Sequence, residues 1–70
     1  AEEAEAAVLH AIDEAILAEN PYLRIIHGKG TGVLRERVRQ VVESDSRVAR
    51  SVTAPPNQGG TGVTIAEFVA

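Results

Sequence analysis

Glycines at positions 28, 30 and 32 separate two segments that cannot belong to the same kind of element. Before them, Tyr22 to His27 packs Leu23, Ile25 and Ile26 too densely for one solvated face, which predicts an inner strand. After them, a segment starting near Thr31 or Gly32 and running to about Ser44 carries Leu34, Val38, Val41 and Val42 at helical spacing. A strand that hands over to a helix through a glycine turn commits the chain to an α/β architecture. It also leaves bare backbone amides at the mouth of that helix, where the first N–H groups lack partners and the dipole is positive. Such an end attracts phosphate.

The flanking segments fill in the rest. Ala4, Ala7, Val8, Ala11, Ile12, Ala15 and Ile16 form one stripe at helical period, so Ala4 to about Glu19 reads as a helix. Glu3, His10, Asp13 and Glu14 face away from that stripe. Asn20-Pro21 stops the helix, because proline has no N–H for the ladder and pushes its predecessor out of helical geometry. Val48 to Thr53 alternates as a strand, and Ala54 to Thr61 is a turn-rich connection holding two prolines, an asparagine and a Gly-Gly pair. Val63 to Val69 is the last strand, with Val63 and Ile65 on one side and Ala66 and Phe68 on the other. Helix, strand, helix, strand, strand predicts a two-layer sandwich with both helices on one sheet face.

Seventy residues make one small domain. A chain of this size buries only ~60% of the surface it exposes unfolded, so its core is marginal. No cysteine is present to add a disulfide or a thiolate-bound metal, which also fits a cytoplasmic location. No apolar run approaches the ~20 residues of a membrane span, and no basic-then-apolar leader opens the chain. A soluble protein with no membrane partner is expected.

The net charge of −3 hides an uneven distribution. Residues 1–19 hold six acids and no Lys or Arg, whereas residues 20–50 hold all seven bases against Glu36, Glu43 and Asp45, a local balance of +4. A basic segment in an acidic chain suits contact with a nucleic-acid backbone. Ordinary solvated helix faces would give the same counts.

His27 closes the first strand, where open α/β sheets place ligands, and imidazole is suited to proton transfer near neutral pH. Spacing alone fits equally a histidine that caps the strand on a local carbonyl. Lys29 lies between glycines and could neutralise charge growing on a phosphoryl group, or be a solvated loop lysine. Gly28, Gly30 and Gly32 permit positive φ and close approach of backbone to a ligand. Arg35 and Arg39, four apart, share a helix flank beside the loop and are phosphate-contact candidates; Arg24, Arg37, Arg47 and Arg50 are weaker ones. The loop is not a Walker A motif, since the spacing differs and no Lys-Ser/Thr pair precedes the helix. No acid lies near it in sequence, so no metal site or cofactor is identified.

His27-Gly28-Lys29-Gly30-Thr31-Gly32 before Leu34-Arg35, followed by Pro55-Pro56-Asn57-Gln58-Gly59-Gly60-Thr61-Gly62-Val63-Thr64, resembles the Smr (small MutS-related) domain. The resemblance covers essentially the whole chain and is strongest to the Smr domain that closes the second family of bacterial MutS-like ATPases. It implies a mixed sheet in βαβαββ order, similar to the carboxy-terminal domain of a bacterial translation initiation factor. The family's first strand bears a Leu-Asp-Leu-Arg/His-Gly motif with no counterpart here. The chain therefore reads as a single Smr-like domain, residues 1–70, trimmed just after that strand and holding the second half of an active site.

The resemblance further implies an endonuclease that nicks DNA or cuts RNA with little sequence specificity, in suppression of recombination and DNA repair. The alternative is a non-catalytic nucleic-acid or ribosome-docking module acting in rescue of collided ribosomes. Carried onto this sequence, the catalytic positions are His27 and Lys29. The nucleic-acid-binding positions are Gly28, Gly30, Thr31, Gly32, Arg35 and Arg39. A divalent metal could enter through the aspartate of the missing strand. The expected partners are branched or duplex DNA, or RNA, with the ribosome under the alternative, and the parent protein is expected to dimerise through parts not present here.

Overall fold

The structure is a computed structural model that describes residues 2–30 and 32–69. Its elements follow in the order α1 (Glu2–Leu17), β1 (Tyr22–Ile26), α2 (Val33–Ser44), β2 (Val48–Thr53) and β3 (Val63–Phe68). Two short 3-10 turns, Pro56–Gln58 and Gly60–Gly62, link the last two strands.

Helix α1 runs two residues earlier at each end than its apolar stripe predicts. Its stop is a backbone device rather than Pro21 itself. The Asn20 amide donates to the Ala15 carbonyl and the Glu19 amide to that of Ile16, both at 2.9 Å, while Glu19 takes a left-handed φ of 59°. This is a Schellman closure with glutamate in the position glycine usually fills. Of the predicted stripe, Val8, Ile12 and Ala15 are buried and Ala7 is exposed.

The sheet order is β1-β3-β2, with both pairings antiparallel. This corrects two expectations. Among the described residues the sheet is antiparallel rather than mixed, because β3 inserts between β1 and β2, which run in the same direction without touching. The inner strand is β3, and β1 is an edge. Its apolar density does not reflect burial on both faces, since Ile26 is 76% exposed and Tyr22 48%.

Both helices cover one face, as expected. Val8 and Ile12 of α1, Val38, Val41 and Val42 of α2, and Ala66 of β3 form the core, with Leu23, Ile25, Val48 and Phe68 packed against it. Ile12 and Val42 are fully buried, and each such side chain stabilises the fold by roughly 1.5–3 kcal/mol. Leu34, expected in this core, is 45% exposed instead. It sits one turn ahead of Val38, where α2 overhangs the sheet beside the glycine loop. The molecule measures 31 × 29 × 16 Å, and the short dimension is that of one helix layer on one sheet. Among the described residues no helix is long and apolar enough to cross a membrane.

Candidate nucleic-acid interface

Register places His27 one step beyond the β1–β3 ladder. Ile26 faces Val63 and Ile25 faces Thr64, so His27 emerges on the helix side, where Thr64 also points. The backbone then folds around one acceptor. The amides of His27 and Gly28 both donate to the Gly62 carbonyl at 3.0 Å, tying the glycine loop to the turn before β3. A Cβ at Gly62 would lie 3.3 Å from the Lys29 Cγ and 3.4 Å from the Gly28 carbonyl carbon, so the loop lies tightly over that turn.

The turn is itself narrowly specified. At Gly59, φ is 111° and a Cβ would lie 2.3 Å from a Val63 methyl, a separation no side chain can occupy. The Pro-Pro-Asn-Gln-Gly-Gly run therefore packs beside the histidine loop, and Arg24 fastens it from β1 through a bond to the Gln58 carbonyl.

The imidazole of His27 is half-buried and engaged at both nitrogens. Nδ1–H donates to the Gly28 carbonyl at 2.9 Å, and Nε2 is 2.8 Å from the Thr64 hydroxyl. A carbonyl can only accept, so the neutral ring carries its proton on Nδ1 and Nε2 accepts from Thr64. Thr64 is 5% exposed and is the buried polar side chain among the described residues. Sequence reading gave it no role. Its neighbour in sequence, Gly62-Val63, marked a turn and a strand, and nothing local shows that its hydroxyl meets a histidine 37 positions earlier.

In front of the ring lies a hollow of about 440 Å³. His27, Gly28, Gly30 and Gly32 form its loop side, Ala4, Val33 and Leu34 its apolar wall, and Arg35 and Arg37 its cationic rim. Exposed Leu34 is thereby accounted for. Helix α2 opens on Gly32, in a left-handed conformation with φ 87°, and among the described residues no side chain caps its first amides. The Arg35 guanidinium folds back over this end, within 3.3 Å of where a Gly32 Cβ would be.

Other candidates are distributed differently. Lys29 is exposed but does not line the hollow, its stem lying across Gly62 on the far side of the loop. Gly30 is not among the glycines with positive φ, and a Cβ there would meet nothing within 4 Å, so its expected conformational need is absent. Arg39 is bound to Glu43 at 3.2 Å and lines a neighbouring cleft between α2 and β2 with Arg35, Ser51, Thr53 and Thr64. Arg37, read as a weaker candidate than Arg35 and Arg39, lies on the hollow's rim. Thr31 falls outside the described residues.

Away from the hollow, Arg24 binds the Gln58 carbonyl, while Arg39, Arg47 and Arg50 are tied to carboxylates. Arg47 bridges Asp13 of α1 and Asp45 after α2, and Arg50 holds Glu67 across the sheet at 2.8 Å. Hydrogen bonds from the Arg47 guanidinium and amide hold the Asp45 carboxyl below the usual carboxylate range. The bond from Arg50 does the same for Glu67. Among the described residues no group of three or more His, Asp or Glu side chains is placed to hold a metal ion.

The Smr domain family model matches residues 1–69. Endonuclease MutS2 of Gemmatimonas aurantiaca is 49% identical over 61 residues, which is 87% of this chain and 7% of that protein. Endonuclease MutS2 of Enterococcus faecalis is 46% identical over 67 residues, covering 96% of this chain and 8% of that protein. The chain thus spans less than a tenth of the length of these curated relatives. The crystal structure of the Smr domain of Thermus thermophilus MutS2 superposes with a TM-score of 0.93 at 40% identity, covering 99% of this chain and 86% of that one. Motif, fold and sequence agree over nearly the whole length, and the chain belongs to the Smr domain family.

Proposed function

We propose that this domain binds nucleic acid through the hollow at the head of α2 and cuts phosphodiesters there as a nicking endonuclease with little sequence preference. One observation carries the reading: a histidine, uncapped helix amides and two arginines converge on one open hollow. The amides and the Arg35 guanidinium bind phosphoryl oxygens by charge and geometry, and phosphate contacts carry no base-sequence information. Water is the nucleophile, and His27 exchanges a proton with it or with the leaving oxygen. Lys29 reaches from the far side of the loop to offset charge on the transferring phosphoryl group. Site of action would be the cytoplasm, on branched or duplex DNA or on RNA, within a larger dimeric protein.

The test is nicking of supercoiled plasmid by this domain at fixed salt. His27→Ala is expected to lower the rate by about 10²–10⁴-fold, the range of a lost general acid or base. A His27→Ala chain as active as its parent ends the proposal.

A binding-only reading, as a nucleic-acid or ribosome-docking module, draws on the fact that both His27 ring nitrogens are already satisfied within the protein. It requires affinity that survives His27→Ala and collapses in Arg35→Ala/Arg37→Ala, with no cleavage by either chain.

A further inference from the structure

We propose that Thr64 is a positioning residue that holds His27 by Nε2 in every protonation state and leaves Nδ1 as the nitrogen that works on substrate. The inference rests on the endonuclease reading and deepens it. The two bonds to the ring are not equivalent. The Nε2 partner is a hydroxyl buried to 5% exposure on the central strand, held in register opposite Ile25. The Nδ1 partner is the carbonyl of the next residue, in an exposed loop that lines the hollow. A phosphate entering the hollow competes with the exposed bond, whereas the Thr64 bond is part-buried and Thr64 does not line that hollow.

The hydroxyl can play both parts of a hydrogen bond. It donates to Nε2 when that nitrogen holds a lone pair and accepts from it when it holds a proton. Once Nδ1 has turned from the Gly28 carbonyl, the neutral ring can hold its proton on either nitrogen, and the imidazolium on both, with the Thr64 bond kept in each state. With Nε2 anchored, the imidazolium can turn its Nδ1–H from the Gly28 carbonyl to a leaving oxygen and give up that proton, which leaves a neutral ring whose Nε2–H donates to Thr64. After tautomer exchange the Nδ1 lone pair can take a proton from water while Nε2–H donates to Thr64. In each case one N–H bond and one O–H bond exchange a single proton, with no co-reactant. Gly28 is then the resting partner of the working nitrogen, and the two-sided clamp becomes a resting state rather than a block.

The test compares Thr64→Val, which keeps the shape and removes the hydroxyl, with Thr64→Ser, which keeps the hydroxyl. Two readouts are taken: nicking kinetics, and the nitrogen-15 resonances of the His27 ring at a pH where it is neutral. Thr64→Val is expected to lower kcat about tenfold, the equivalent of one lost hydrogen bond, with KM for plasmid changed less than twofold. Thr64→Ser is expected to restore most of that rate. The Nε2 resonance should move toward that of an unbonded ring nitrogen in the valine chain and stay near the parent's in the serine chain. An unmoved Nε2 signal in a folded Thr64→Val chain, or an unchanged kcat, overturns the assignment; so does a serine chain as impaired as the valine one. The resonance readout needs no cleavage, so it decides the role of Thr64 even if His27→Ala proves fully active and the endonuclease reading fails.

Discussion

At the residue scale the glycine loop divides into positions that need glycine and one that does not. Gly32 caps α2 in the left-handed region and lies against the Arg35 guanidinium, so a side chain there meets both backbone strain and a crowded cation. Gly30 has neither constraint. Gly32→Ala is expected to cost about 1–2 kcal/mol in urea unfolding, the penalty of a left-handed L-residue, while Gly30→Ala should stay within about 0.5 kcal/mol of the parent. Equal losses for both would mean that the alternation, rather than the conformation of Gly32, is what the loop requires. The glycine spacing itself was legible in sequence. Which glycines carry the strain was not, because alternate glycines all look permissive until the path of the chain is fixed.

Between elements, charged side chains do more stapling than binding. Arg47 joins the end of α2 to the outer face of α1, through an Asp45 side chain only 10% exposed. The folded Asp45 carboxyl has a pKa lowered by Arg47, so its contribution is present above the unfolded carboxylate pKa and is lost as pH falls through the folded value. Between pH 5 and pH 2 the parent is therefore expected to lose more stability than Asp45→Asn, which has no such proton to gain. Urea midpoints at the two pH values check this, and parallel losses in both chains would remove Asp45 from the acid transition. In sequence, Asp13 reads as part of an outward helix face and Arg47 as a weaker phosphate-contact candidate. Ion pairing across 34 positions has no local signature.

For the molecule as a whole, the central excess of positive charge is less available than the sequence count implies. Arg39, Arg47 and Arg50 are paired with carboxylates. Among the described residues no carboxylate pairs with Arg24, Lys29, Arg35 or Arg37; Arg24 is held by the Gln58 carbonyl, and the other three stand around the glycine loop. Binding to duplex DNA should weaken steeply with salt, and each phosphate-contacting cation contributes a little under one unit to the slope of log K against log salt. Arg35→Ala and Arg37→Ala are each expected to flatten that slope by about one unit, whereas Arg50→Ala should leave it unchanged. A slope indifferent to Arg35 and Arg37 would move the binding surface away from the hollow.

Local patterning alone settled which segments are helix and which are strand, with β2 read at its observed bounds and the buried stripe of α2 read correctly except for Leu34. Hydrophobic period and turn chemistry act over a few residues, and a single sequence displays them directly. Assembly decided the rest: β3 rather than β1 at the centre, Thr64 against His27, Arg37 rather than Arg39 at the hollow. Those outcomes depend on strand order and register, which bring together side chains far apart in the chain according to how the core closes.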